Sequence, residues 1–218
     1  MKENRNIKII RFINEFGFCE LPQIQKQFGL NKSNAYKVMQ RLIKDGYVMH
    51  ERIFYHRHGV YRVTRNGASV SGLPMLSQVS VGNYEHQIAV IEIYIKLMRQ
   101  YPDASWLTER MIRRTGDMPG KGRDKHYADA LMILSDGRQI AIEVELTMKS
   151  KNRLKDIMMD YMILFDIKEV WYFCAPAIVD KVRNIAENWK TTFKVFELEP
   201  DITDKMISVS SDSKLSAS

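Results

Sequence analysis

His126-Tyr127-Ala128-Asp129-Ala130-Leu131-Met132-Ile133-Leu134-Ser135-Asp136-Gly137-Arg138-Gln139-Ile140-Ala141-Ile142-Glu143-Val144-Glu145-Leu146 reads as two strands joined by a tight turn. Both flanks are apolar-rich, and Asp136-Gly137 is a strong hairpin signal. In the second strand the side-chain period of two puts Ala141, Glu143 and Glu145 on one face, with Ile142, Val144 and Leu146 on the other. Two acids therefore stand side by side in an apolar strand, and Asp129 makes a third if it faces the same way. A carboxylate buried among Ile and Val must be paired, protonated or bound to metal. Such a cluster suits a hard divalent cation such as Mg2+, which takes oxygen ligands and keeps several waters. In the alternative, Glu143 and Glu145 line the wet face of a half-exposed sheet and pair with nearby Lys or Arg; spacing alone leaves both readings open.

The 218-residue chain is 45% hydrophobic and carries a formal charge of +7. It can bury a core, and it favours an anionic partner, nucleic acid first. Residues 1–72 hold 13 Lys and Arg against 5 Asp and Glu, a balance of +8, which leaves 20 against 21, or −1, for the rest. The basic excess thus belongs to the N-terminal third. Cys19 and Cys174 lie far apart without CxxC or Cys/His spacing, so neither a disulfide framework nor a zinc site is indicated, and both read as small apolar fillers. No apolar signal segment follows the polar start, and no run is long enough to span a bilayer. A soluble, cytoplasmic protein with no membrane partner is expected.

Apolar residues at Ile9, Ile10, Ile13 and Phe16 predict a helix ending near Gly17, and Leu21-Pro22 opens a second that Gly29 stops. Asn31 or Ser33 caps a third, Ala35 to Lys44, with Ala35, Val38, Met39 and Leu42 inward. Strands at Arg52–Tyr55 and Val60–Val63, with His56-Arg57-His58-Gly59 as the tip, predict a β-hairpin. The run Leu42 to Val48 resembles the end of the third helix and the start of the wing in winged-helix proteins. Lys32, Ser33, Asn34, Lys37, Gln40 and Arg41 fall on polar positions of the third helix, donors suited to phosphates and base edges of double-stranded DNA, and Arg57 sits on the wing tip. A solvated face, or a winged helix used for protein contacts, is the bland alternative.

A short helix closes this domain at residue 72, and a turn-rich linker occupies 73–82. A second domain, 83–200, opens with a long amphipathic helix to Tyr101-Pro102 that carries His86 in its first turn, followed by a strand from Trp106 to Ile112. Residues 110–126 form a mobile basic loop whose Arg113, Arg114, Lys121 and Arg123 would clamp a nucleic-acid backbone. After the hairpin come a methionine-rich helix from about Asn152 to Phe165, read as core packing, a strand Glu169 to Cys174, a helix Ala177 to Trp189 and a strand Phe193 to Leu198. Residues 201–218 form a flexible, Ser-rich tail. The fold class is α+β or α/β: an N-terminal winged helix-turn-helix, then a restriction-endonuclease-like αβ domain with a mixed central sheet.

This element order, with Asp129 and Glu143 on the hairpin, resembles the PD-(D/E)xK nuclease superfamily. The resemblance implies that the two acids hold Mg2+ or Mn2+. Ala128 stands where the family has Pro, and Glu145 where it has Lys; Glu145 becomes a further metal ligand or a base, and Lys149 returns an ammonium. More narrowly, Tyr84 to Val90, Ala128-Asp129-Ala130-Leu131 and Glu143 to Ser150, behind a winged helix, are similar to plasmid replication-relaxation proteins and MobC-type mobilisation relaxases. That resemblance implies a metal-dependent endonuclease that nicks plasmid DNA at a transfer origin for conjugative mobilisation. Catalytic roles then fall to Asp129, Glu143, Glu145, Lys149 and His86. An accessory mobilisation or coupling protein and a second copy of the chain are the further partners implied. The rivals are a non-catalytic DNA-binding protein for plasmid replication or regulation and a restriction-like double-strand endonuclease. Relaxases commonly use a tyrosine; Tyr84, Tyr127 and Tyr161 are expected near the proposed site, but buried tyrosines are usually core.

Overall fold

Asn4 opens the first helix: its side-chain oxygen accepts the backbone N–H of Asn6 at 3.0 Å, and α1 (Arg5–Phe16) runs to Gly17, whose φ of 83° ends it. The computed structural model describes residues 4–116 and 126–199. They fall into two compact units, residues 1–96 and 97–218.

In the N-terminal unit, a two-residue strand β1 (Cys19–Glu20) leads into α2 (Leu21–Phe28), which carries Pro at its start and stops at Gly29 with φ 62°. Helix α3 (Lys32–Lys44) is capped by Asn31, whose side chain accepts the Asn34 N–H at 2.8 Å. Strands β2 (Val48–Glu51) and β3 (Val60–Val63) and a short α4 (Arg65–Ser71) follow. The three strands form an antiparallel sheet in the order β1-β3-β2. Ile9, Ile13, Ile24, Ala35, Met39, Leu42, Val48 and Val63 are fully or nearly fully buried in this unit. The hairpin is real but shifted: its first strand is Val48–Glu51, and the predicted strand Arg52–Tyr55 lies in the irregular connection. Val48 pairs with Val63 and Glu51 with Val60, and all four residues of β3 are buried, so both faces of that central strand are covered.

The long helix α5 (Tyr84–Gln100) contains the division between the units, at Lys96/Leu97 and not in the turn-rich stretch 73–82. Val79 explains why: it is buried with Phe18, Val60, Tyr84 and Ile88, so the Pro- and Ser-rich segment is tied into the N-terminal unit.

The C-terminal unit is built on a five-stranded mixed sheet in the order β4-β5-β6-β7-β8. Its strands are β4 (Ser105–Thr108), β5 (Ala130–Ile133), β6 (Gln139–Glu145), β7 (Ile167–Cys174) and β8 (Phe193–Glu197). The first three run antiparallel, and β7 and β8 lie parallel to β6. The parallel crossovers are made by α7 (Lys151–Met162) and α8 (Val179–Ala186). The expected hairpin is present: Leu134 and Arg138 close the loop, and Gly137 takes φ 83°. One expected strand is corrected, because β4 ends at Thr108 and residues from Glu109 onward form α6 (Glu109–Thr115). Thr108 caps that helix by accepting the Met111 N–H, Glu109 sits in its first turn, Arg113 and Arg114 in its last, and Gly116 takes the left-handed position after it. Residues 110–115 are therefore helical and not a loop; residues 117–125 of the predicted basic loop, with Lys121 and Arg123, and the predicted tail lie outside the described residues.

Cys19 and Cys174 are free and buried, as fillers should be. The methionine-rich helix is only partly core: Met158 is fully buried, whereas Met159 and Met162 face outward. Among the described residues, no helix is long and apolar enough to cross a membrane.

Helix α4 passes so close to the chain at Tyr47 that a Cβ on Gly67 would stand 2.2 Å from the Tyr47 carbonyl oxygen and 3.0 Å from the Val63 Cβ. Replacing a mid-helix glycine by alanine ordinarily gains up to about 1 kcal/mol. Here Gly67→Ala is expected to lose about 1–3 kcal/mol through overpacking, read as a lowered denaturant midpoint with unchanged slope.

Candidate functional site

Strand β6 is the central strand of its sheet, and after its first residue all its side chains are buried. Burial here extends to the acids: Glu143 is 1% exposed and Glu145 4%. Ala141 packs in the core with Leu154, Ile157, Met158 and Tyr161 of α7, which fixes the face shared by Ala141, Glu143 and Glu145 as the one under that helix. The wet-face alternative is thereby corrected. A neutral strand would need nothing more; two buried carboxylates need donors.

Three side chains supply them, and a third acid joins the group. Tyr161, on the inward stripe of α7, donates its hydroxyl to Glu143 Oε1. His126 Nε2 meets the same oxygen at 2.7 Å. The Lys149 ammonium pairs with Glu145 Oε1. Asp129, immediately ahead of β5, accepts the backbone N–H of Val144 on its Oδ2 at 2.8 Å. Because Val144 lies between the two acids, that bond clamps Asp129 to their end of the strand. Asp129, Glu143, Glu145 and Lys149, predicted from sequence, are thus brought together, and His126 and Tyr161 join them.

Burial and mutual charge shape the titration of the cluster. Burial raises Glu145 above the ordinary carboxylate range; Lys149 opposes the rise, and the charges of Glu143 and Asp129 add to it. Burial alone would lower His126, but its hydrogen bond to Glu143 and that carboxylate's charge outweigh it and leave the imidazole raised. Burial first, and then the charge of Glu143, push the Tyr161 phenol well above its usual value. Tyr172, opposite Glu143 in the β6–β7 register, is fully buried, and its hydroxyl has no hydrogen-bond partner among the described residues. Next to Glu145, the Cys174 thiol is pushed up to about 12, chiefly by burial. Among the described residues, no group of three or more His, Cys, Asp or Glu side chains is arranged to hold a metal ion.

The other predicted residues are distributed differently. Arg113 is exposed, pairs with Glu109 at 2.6 Å and lies over the Tyr127 ring at 4.4 Å; Arg114 beside it is exposed. His86 is half-buried in the first turn of α5, within the N-terminal unit. In α3 the capped start and the buried Ala35-Val38-Met39-Leu42 stripe turn Lys32, Ser33, Asn34, Lys37, Gln40 and Arg41 outward, all exposed. Lys44 and Tyr36, the latter 53% exposed, extend the same face. Arg57 does not extend it: its side chain is 8% exposed, pairs with Glu85 at 2.7 Å and lies 5.4 Å over the Tyr84 ring. It is withdrawn because Glu85 and the Glu20–Tyr84 hydrogen bond, 2.6 Å long, form a buried polar group that needs a cation.

Sequence reasoning missed His126 and Tyr161 as partners of Glu143. The signal was available for Tyr161, which repeats the inward spacing of Leu154, Ile157 and Met158 while carrying a polar tip. Compared with family models, with curated proteins and with solved structures, the chain finds no match.

A raised histidine pKa means that the folded state holds the proton more tightly than the unfolded chain. The stabilisation from the His126–Glu143 pair is therefore complete below about pH 6.5, the unfolded value, and fades as pH rises through the folded one. The stability gap between the native chain and His126→Gln, from urea unfolding at a series of pH values, is expected to be widest in acid and to narrow above neutrality. Tyr161→Phe is expected to cost about 1–3 kcal/mol, because it takes a donor from a buried carboxylate.

Proposed function

We propose that the chain is a Mg2+- or Mn2+-dependent DNA endonuclease of PD-(D/E)xK type, a relaxase that nicks plasmid DNA at a transfer origin after an N-terminal winged helix docks on the duplex. The observation that carries this reading is the clamp of Asp129 onto Val144, which holds one carboxylate at the start of β5 beside another, Glu143, on the adjacent strand β6. The strand sequence around it supports the reading too: an antiparallel trio, then a helix and a parallel strand, with both acids near one end of the inner hairpin. The helix and sheet order of the N-terminal unit and the exposed cationic face of α3 support the DNA-docking half.

The residues fit a two-carboxylate site for an oxygen-seeking cation, with its remaining positions left to water. Asp129 and Glu143 would hold the ion; Glu145 is already engaged by Lys149. When bound, Mg2+ lowers the pKa of a coordinated water and offsets charge on the phosphate. The chain's own residues do the positioning: Tyr161 and His126 fix Glu143, the Val144 N–H fixes Asp129, and Glu145 steers the Lys149 ammonium to the same end of the strand. Tyr161 is 3% exposed with its pKa pushed well up, and Tyr84 gives its hydroxyl to Glu20. Both phenols serve as structural donors, which favours water over a tyrosine as nucleophile.

A second reading has its own observation. Glu145 and Lys149 neutralise each other, and Glu143 is satisfied by His126 and Tyr161, so the cluster is stable as a scaffold without an ion. On that reading the chain is a DNA-binding protein of plasmid replication or regulation that does not cut.

The two separate in one assay. Supercoiled plasmid bearing the origin is expected to become open-circular with Mg2+ or Mn2+ and not with EDTA, and Asp129→Ala or Glu143→Ala to lower the rate at least about 100-fold with duplex binding retained. Binding that survives EDTA, without cleavage in any metal, would establish the scaffold reading; linear product would point to a double-strand endonuclease.

A further inference from the structure

Helix α7 carries its charges against its own dipole. Lys151, Arg153 and Lys155 lie toward its start, Asp156 at its middle and Asp160 toward its end, with no acid in the first turn and no base in the last. A cation in the first turn of a helix and an anion in the last are each unfavourable against the dipole. All five are exposed, and none forms an ion pair with another described residue. Beside them stand four large apolar side chains that the fold leaves in solvent: Met159 at 57% exposure, Met162 and Ile163 at 49% each, and Phe165 at 88%. Scattered exposed apolar residues are ordinary, but four at one helix end mark a contact surface.

The placement of these groups around the helix is informative. Leu154, Ile157, Met158 and Tyr161 define the inward stripe. At 3.6 residues per turn, Arg153, Asp156 and Asp160 then share one flank of the outer face, and Lys151, Lys155, Met159 and Met162 share the other. A two-fold axis perpendicular to the helix brings a second, antiparallel copy across this face, sets each flank against the same flank, and exchanges N-terminal with C-terminal halves. On the first flank Arg153 of each chain meets Asp160 of the other. On the second, the alkyl stems of Lys151 and Lys155 lie over Met162 and Met159 of the other chain. The opposed dipoles become favourable neighbours, and Ile163 and Phe165 extend the apolar contact at each end.

We infer that the outer face of α7 is a self-complementary interface through which two copies of this chain pair antiparallel about a two-fold axis. The pairing does not depend on the nuclease reading and needs no DNA. Asp156 lies closest to the axis and faces its own copy, so it is the one like-charge contact in the arrangement.

Sedimentation equilibrium of the full chain without DNA tests the inference. A monomer–dimer equilibrium is expected. Arg153→Asp and Asp160→Arg alone are each expected to raise its Kd about tenfold, the double reversal to restore it, Asp156→Asn to lower it, and Met159→Glu to abolish association. Unchanged thermal melts by circular dichroism would show that these surface variants fold. A chain that stays monomeric up to about 1 mM, or a dimer whose Kd ignores the charge reversals, would overturn the interface.

Discussion

A carboxylate on the central strand of a sheet, cut off from water, dictates its surroundings. Glu143 is that group here, and three features of the C-terminal unit serve it. Helix α7 must cross with Tyr161 directly over the strand; residue 126 must return to the sheet with its imidazole against Oε1; and Asp129 must stand off by one residue, taking the Val144 N–H in place of a further acid contact. Leaving a buried charge without donors would cost more than any single packing defect in this core. The polar cluster therefore constrains the helix crossing and the hairpin start as firmly as the apolar contacts around it.

The N-terminal unit solves a similar problem in a different way. Glu20 and Glu85 are acids withdrawn from solvent around Tyr84, and one arginine, Arg57, is drawn in from the β2–β3 connection to answer them. There a phenol also donates to a carboxylate, but the group ties a loop to a helix and presents no converging acids. The contrast shows why a buried acid is not by itself a site. In the C-terminal unit three acids approach one strand end; in the N-terminal unit each acid has its own partner.

Much of the architecture was legible because local chemistry and the final fold agree. Asn31 and Thr64 cap the helices they precede, Gly17, Gly29 and Gly72 end them, and Asp136-Gly137 turns the hairpin. The misreadings have physical causes. Residues 109–112 look strand-like in composition, yet the Thr108 cap and the Glu109-to-Arg113 spacing favour a helical turn. Arg52 to Tyr55 is rich in residues that suit strands, but the valines at 48, 60 and 63 set the register. Sequence placed Arg57 at a tip on polarity alone, blind to the acid 28 residues further on, Glu85, that pairs with it. In the site, strand period exposed the Glu143–Glu145 pair; the partners from α7 and from residue 126 required the tertiary fold.

Glu145 then decides how the cluster is balanced. A lysine at its position would send an ammonium from the rigid strand toward the acids. Here the strand carries a third acid, and the ammonium reaches it from Lys149, four residues later and about one-third exposed. His126, whose hydrogen bond to Glu143 raises its affinity for a proton, and Lys149 are the two basic groups set against three acids. Burial first, and after it the charges of Glu143 and Asp129, raise the proton affinity of Glu145 against the pull of Lys149. The acid that stands where a strand-borne ammonium would otherwise point is thus answered from outside the strand, and the cluster closes on side chains of its own unit.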